Sequence, residues 1–224
     1  MYLEIILLSF QVSIIATLMN IIPAVGVGWL LVKRKTPINF LLDLIVSLPL
    51  ALPPVIIGFF LLTSLSNSSP LGQLSQIIFG KDIVFTWFAA AIASAVVSFP
   101  LMVRSIMVGI ADVDVRLEKS ARILGAGAWR VFFTITVPLA YKGMLAGLLI
   151  GFVRAFSEFG ATIVVAGSIS GSTETLPVAI YGRILTGKDS EVFELIGVSI
   201  LFAVITLLIH NWLMNKYSYK DDRN

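Results

Sequence analysis

The residues that could carry out chemistry in this sequence are few, and they form no catalytic set. The chain has no cysteine and one histidine, His210. Thiolate zinc sites and cysteine nucleophiles are therefore excluded, and His210 has no second ligand at metal spacing. Neither Gly80-Lys81 nor Gly187-Lys188 is followed by the Ser or Thr of a phosphate-binding P-loop. We predict that the chain holds no catalytic residue, no metal, no cofactor and no P-loop.

One pair of opposite charges, Arg154 and Glu158, lies in an apolar stretch. Each charge costs about 2.5 to 3.5 kcal/mol at the centre of a bilayer, so we expect the two side chains to face protein or water and to pair. In one interpretation Arg154 supports a polar path or gate through the membrane. In the other, which we favour, the pair neutralises itself and fixes helix packing, because a strong fixed cation deep in such a path would hold any anion too tightly to release it.

The composition shows that these residues are held in a membrane. Apolar residues make up 58% of the chain and charged residues 13%, against about 25% charged residues in soluble domains. The 224 residues leave room for about five or six spans in membrane lipid. We predict an all-α, polytopic helical bundle forming a single transmembrane domain, 1–224. The net charge of +3 is attributed to membrane orientation, and we expect no nucleic-acid partner.

Charged residues divide the chain into predicted spans. These are 5–32, 38–65, 83–103, 141–165 and 195–214. A further short apolar stretch, Val178–Tyr181, is predicted to be a re-entrant helix.

Lys and Arg are distributed unevenly over the two sides of this arrangement. Twelve of the sixteen basic residues lie on one side and three on the other, with Arg154 inside the membrane. The richer side is therefore cytoplasmic, which puts the N-terminus outside and the C-terminus in the cytoplasm.

A long charged segment lies on the cytoplasmic side between the third and fourth spans. Asp114 can cap a helix in which Leu117, Ala121 and Leu124 recur at helical spacing, and Gly125 and Gly127 offer places to turn. The pattern predicts a short amphipathic helix parallel to the membrane. On pattern alone, its role is either to contact a partner or to anchor on lipid headgroups.

This segment resembles the EAA loop of ABC importer permeases, E-A-A-x-x-x-G-x9-I-x-L-P. The match runs from Glu118 to Gly125 and resumes at Ile135-Thr136-Val137-Pro138, within the predicted loop 112–138. Lys119 replaces the Glu of the pattern, and an acidic residue stands one place earlier. The resemblance implies a coupling helix that fits a cleft on a separate ATPase subunit, which binds ATP and Mg. It implies these coupling residues: Glu118, Lys119, Ser120, Ala121, Leu124, Gly125 and Pro138.

Two further stretches, 48–59 and 154–163, resemble the molybdate branch of that family. The resemblance implies a type I importer permease in the cell membrane that works as a homodimer with two ATP-binding subunits and an extracytoplasmic oxyanion-binding protein. Its cargo would be molybdate, with sulfate or tungstate as the alternative. An intramembrane enzyme and an ungated channel are the alternatives from other classes. Candidate residues of the translocation path or gate are Pro53, Pro54, Arg154, Glu158 and Thr162.

Two patterns leave a structural alternative open. Pro53-Pro54 removes two backbone donors from a span and bends it, which suits either a discontinuous helix at a path or a simple kink. Gly143, Gly147 and Gly151 repeat at four-residue spacing, which suits dimerisation and packing within the chain equally well.

Overall fold

The structure is a computed structural model that describes residues 2–34 and 37–218. The side chains at 78–79, 210 and 213–218 lie outside that description. The prediction for His210 and the contributions of four basic residues to the charge count therefore lie outside the described residues: Lys35, Lys216, Lys220 and Arg223.

All regular secondary structure in the ranges 2–34 and 37–218 is helical, and no strand occurs there. This confirms the predicted all-α class. In chain order the helices are α1 (Tyr2–Lys33), α2 (Pro37–Ala51), α3 (Pro54–Leu65), α4 (Pro70–Phe79), α5 (Trp87–Ala111), α6 (Val115–Ile123), α7 (Ala128–Val131), a π-helical segment (Phe132–Thr136), α8 (Val137–Leu139), α9 (Tyr141–Phe156), α10 (Gly160–Ala166), α11 (Leu176–Leu185) and α12 (Asp189–Ser218).

Three helices, α1, α5 and α12, are long and apolar enough to cross a membrane. The count rises to five if each of two bent pairs makes one span: α2 with α3, bent by 110°, and the segment Ala128–Leu139 with α9, bent by 71°. The prolines at 53 and 54 explain the first bend, because neither ring nitrogen can donate to the helix.

Two of the predicted spans differ from the helices observed. The stretch 141–165 is not one helix, because α9 ends at Phe156 and α10 begins at Gly160. No proline marks this break. The third span was placed at 83–103, whereas α5 starts after the capping residue Thr86 and passes through Arg104. Arg104 lies within α5, since arginine favours the helical conformation, and its side chain pairs with Asp43 at 2.9 Å.

The core is formed where α1 and α9 pack on α5, and small residues bring the backbones together. A Cβ on Gly109 of α5 would lie 2.6 Å from the Cα of Gly143 on α9. Cβ atoms on Gly147 and Gly151 would likewise press on Met102 of α5. The glycine spacing of α9 therefore serves packing within the chain.

Hydroxyl and amide groups line the buried face of α1. Ser9, Ser13 and Thr17 each donate to the carbonyl four residues earlier in their own helix. Asn20 reaches across to the Ala95 carbonyl of α5 at 2.8 Å. We call these four residues the polar seam. In lipid such polar groups must find partners within the protein, and the donors of the seam find theirs in α1 itself or in α5.

Candidate functional site

The loop between α5 and α9 contains the predicted short helix, α6. The Asp114 side chain accepts a hydrogen bond from the Arg116 amide at 2.8 Å, which starts α6. The helix ends because Gly125 adopts a left-handed conformation, with φ of 87°, and the next amide bonds back to Ala121. Cβ-bearing residues rarely adopt that conformation, so glycine at this position has a backbone reason.

The end of α6 presents apolar side chains to the surroundings. Ile123 is 85% exposed and Leu124 is 87% exposed. We call the segment Ile123-Leu124-Gly125 the tip. Lys119 and Arg122 are exposed on the helix behind it. Exposed apolar residues of this size, flanked by charge, are typical of a protein contact surface.

The predicted apolar face of α6 differs from the observed one. Its spacing ran from Leu117 through Leu124, but Leu117 is half exposed and the helix stops before Leu124. The buried position is Glu118, of which 7% is exposed. The helix therefore turns a carboxylate inward and its apolar residues outward.

Glu118 is held by residues of two other elements. Its Oε2 lies 3.0 Å from Nζ of Lys33, at the end of α1. Its Oε1 accepts a hydrogen bond of 2.6 Å from the Thr136 hydroxyl, in the π-helical segment. Sequence reasoning assigned no role to Lys33 or Thr136, although Lys33 ends the first span and Thr136 lies inside the I-T-V-P stretch.

The remaining residues of the predicted coupling set lie at the surface of the same loop. Lys119, Ser120, Leu124, Gly125 and Pro138 are exposed, and Ala121 is half-buried. A proline at 138 cannot donate to the helix. The preceding amide, of Val137, bonds to the Phe132 carbonyl five residues back, which is the π-type bond of this segment.

The two helix breaks inside the bundle face each other. A Cβ on Gly160 would lie 3.0 Å from the Cβ of Pro54, so α3 and α10 begin side by side. One turn further along α3, a Cβ on Gly58 would lie 2.7 Å from the Ala161 carbonyl oxygen. The double proline therefore makes a discontinuous helix whose second half packs closely on another short helix.

Arg154 and Glu158 form the expected pair at the second break. Nη2 of Arg154 lies 2.8 Å from Oε2 of Glu158, and the Ala161 amide donates to Oε1 at 2.8 Å. Glu158 is 2% exposed. The carboxylate thus neutralises the arginine and caps α10, which accounts for a buried charge at this depth.

Thr162, the last of the predicted path residues, is fully buried in α10, and its hydroxyl has no hydrogen-bond partner within the described chain. Pro53 is exposed, and Pro54 is partly exposed at the start of α3. The structure therefore brings Pro54 together with the Gly160 end of α10 and leaves Thr162 inside the same short helix.

The stretch from Gly182 to Lys188 has the glycine and lysine spacing of a phosphate-binding P-loop, although no Ser or Thr follows the lysine. Gly182 to Leu185 is helical, however, and Lys188 pairs with Glu191 at 3.2 Å. A phosphate cradle needs a loop of free backbone amides, so this stretch is not one.

The long apolar helices are those of a multi-pass membrane protein. A family model described as "Binding-protein-dependent transport system inner membrane component" matches residues 6–219. The chain belongs to this family of membrane-embedded transport components.

Relatives and solved structures agree with that assignment. The molybdenum transport system permease protein ModB of Escherichia coli (strain K12) is 46% identical over 209 residues, covering 93% of this chain and 91% of that protein. The Haemophilus influenzae ModB is 41% identical over 214 residues, covering 95% and 93%. A bacterial ABC transporter that imports alginate shares the fold, with a TM-score of 0.71 at 18% identity, covering 98% of this chain and 79% of that one.

Proposed function

We propose that this chain is the permease subunit of an ATP-driven importer that moves molybdate into the cytoplasm. The exposed tip carries the proposal. Leu124 is 87% exposed on a loop that continues into apolar helices at both ends. A partner seated on the tip would bury this apolar surface.

The partner on the tip is an ATPase subunit. The loop matches the coupling pattern at Ala121, Gly125, Ile135 and Pro138. Two such subunits, each binding ATP and Mg²⁺, lie beneath a homodimer of this chain, and an extracytoplasmic oxyanion-binding protein delivers cargo from the other side. This arrangement needs the N-terminus outside and the tip in the cytoplasm, as the Lys and Arg distribution favours.

The path runs beside the broken helices. Pro53 and Pro54 interrupt one helix where α10 begins, and irregular backbone at membrane depth is tolerated where it lines a cavity or is buried in protein. Arg154 and Glu158 support this region by holding α10 in place, and Thr162 lies buried in the same short helix. Direct contact with cargo is assigned to none of these three side chains.

Molybdate is proposed as cargo because of the identity to the ModB proteins, at 46% and 41% over nearly full length. Sulfate and tungstate are tetrahedral dianions of similar shape. The test is uptake of labelled molybdate by vesicles containing this chain, its ATPase and its binding protein, with sulfate and tungstate as competitors. Uptake blocked by sulfate at equal concentration would move the assignment to sulfate.

Capture of the ATPase tests the tip directly. The variant Leu124→Glu adds a charge to an exposed residue and should weaken capture of the ATPase in mild detergent. Leu185→Glu is the matched control, since Leu185 is 68% exposed on α11, on the side proposed to be extracytoplasmic. Equal capture by Leu124→Glu and the unsubstituted chain would contradict the proposed surface.

A further inference from the structure

The buried carboxylate of Glu118 points away from the tip. Exposed residues surround it in sequence: Arg116, Leu117, Lys119 and Ser120 all face outward. The side chain of Glu118 is 9% exposed and that of Lys33 is 15% exposed. An ATPase seated on the tip would therefore meet the other side of α6.

Burying these charges needs a reason, because an ion pair removed from water often contributes little net stability. Here every contact of the carboxylate links a different element. Oε2 reaches Lys33 of α1 at 3.0 Å, and Oε1 receives the Thr136 hydroxyl at 2.6 Å. Each charge also stands at the favourable helix end, Glu118 in the first turn of α6 and Lys33 in the last turn of α1.

The chain itself joins α6 to other elements at its two ends only. Residues 112–114 connect it back to α5, and Leu124–Gly127 lead forward to α7. Glu118 adds a lateral connection to α1, which is distant in sequence, and to the segment that leads into α9. A displacement of α6 would otherwise reach α1 only through packing.

We propose that Glu118 is a positioning residue that transmits movement of α6 into α1 and the π-helical segment, and that it does not contact the ATPase. This assignment rests on the proposed function, since it assumes that the tip is moved by an ATPase. The ion pair with Lys33 and the hydrogen bond from Thr136 form a strut between the loop and the membrane helices. Charge-assisted bonds hold position more firmly than apolar contacts, which can slide.

The first test uses substitutions that keep side-chain size. Glu118→Gln and Lys33→Met each remove one charge, and the double variant removes both. In vesicles with the partner ATPase and binding protein, molybdate transported per ATP hydrolysed should fall roughly fivefold or more in all three, the scale of a coupling free energy between sites. Capture of the ATPase and its hydrolysis rate should stay within about twofold of the unsubstituted chain.

The double variant separates transmission from folding. In the alternative, Glu118 and Lys33 serve only to neutralise each other. The double variant Lys33→Met with Glu118→Gln would then restore the molybdate transported per ATP hydrolysed, and this result would overturn the proposal. Asp189→Asn is the control, because Asp189 is an exposed carboxylate at the start of α12 and Asn serves equally well at a helix start. Its ratio should not change.

A second test works even if the single-charge variants fold poorly. The chain has no cysteine, so Lys33→Cys with Glu118→Cys introduces one unique pair of thiols. Bridging them with a short bifunctional thiol reagent rebuilds the strut covalently, and transport per ATP should rise several-fold over the unbridged sample. No gain on bridging would overturn the proposal. If the unsubstituted chain captures no ATPase, the proposed function fails, and this inference fails with it.

Discussion

Gly109 and Gly143 meet face to face across α5 and α9, so close that a Cβ on Gly109 would lie 2.6 Å from the Cα of its neighbour. Neither helix offers a side chain at this point that could move aside. The contact joins the long apolar helix α5 to α9, which carries Arg154 and follows the loop that contains α6. The backbones of α5 and α9 are therefore in direct contact, close to the point where the loop enters α9.

Enlarging this contact should unfold the bundle locally. Gly143→Val places a branched side chain against backbone that cannot shift, and overpacking of this kind costs about 1 to 3 kcal/mol or more. We expect a lower thermal unfolding temperature in detergent. Gly26→Ala is the matched control, since nothing lies within 4 Å of a Cβ there. Equal unfolding temperatures would show that α5 and α9 are not packed this closely.

Removing Arg154 should damage folding more than anion selectivity. In Arg154→Gln the carboxylate of Glu158, 2% exposed, loses its cation, and breaking a buried pair costs about 3 to 5 kcal/mol. The unfolding temperature should fall, while competition by sulfate and tungstate stays as in the unsubstituted chain. A second substitution, Glu158→Gln, should recover most of the stability. A changed order of competing anions with unchanged stability would instead place Arg154 at the path.

The left-handed turn at Gly125 predicts which residues the tip tolerates. At its φ of 87°, a β-branched residue would raise the energy of the folded backbone by about 1 to 3 kcal/mol, whereas Asn adopts the left-handed conformation more readily. Gly125→Val should therefore abolish uptake while the chain still inserts into the membrane, and Gly125→Asn should keep more uptake. Gly127→Ala, at an ordinary φ of −66°, controls for folding of the loop. Full uptake by Gly125→Val would remove the coupling role of the turn.

The proposed orientation can be read from single thiols, because the natural chain has none. Ser120→Cys and Ser172→Cys place one exposed thiol in the α6 loop and one in the loop before α11. In intact cells, a maleimide that cannot cross the membrane should label Ser172→Cys and leave Ser120→Cys unlabelled until the cells are opened. The reverse pattern would invert the orientation.

Local signals in the sequence predicted where the short helix α6 begins and ends. Asp114 and Gly125 are chemical signals that act on their own neighbours, so the start and end of α6 could be placed without knowing the fold. The pairing of Arg154 with Glu158 followed from spacing alone in the same way. Short-range rules were sufficient in each case.

Contacts between residues far apart in the chain could not be predicted from the sequence. Glu118 pairs with Lys33, 85 residues earlier, and accepts a hydrogen bond from Thr136, 18 residues later. No local sequence pattern indicates either partner. The break after Phe156 contains no proline that could have signalled it. It is stabilised instead by the hydrogen bond from the Ala161 amide to Glu158 and by the approach of Pro54 to Gly160. The glycines of α9 had two possible uses, and only the position of α5 decided between them.

The polar seam on α1 has a mechanical consequence. Ser13 and Thr17 satisfy their hydroxyl hydrogens within their own helix, so sliding past α5 breaks no bond of theirs. Bonds to other elements occur at Ser9, which accepts from the Leu176 amide, at Asn20, and at Lys33. Within the described residues, α1 is therefore held by polar bonds at a few separate points, and a push at its Lys33 end is transmitted to α5 and α11 at Asn20 and Ser9.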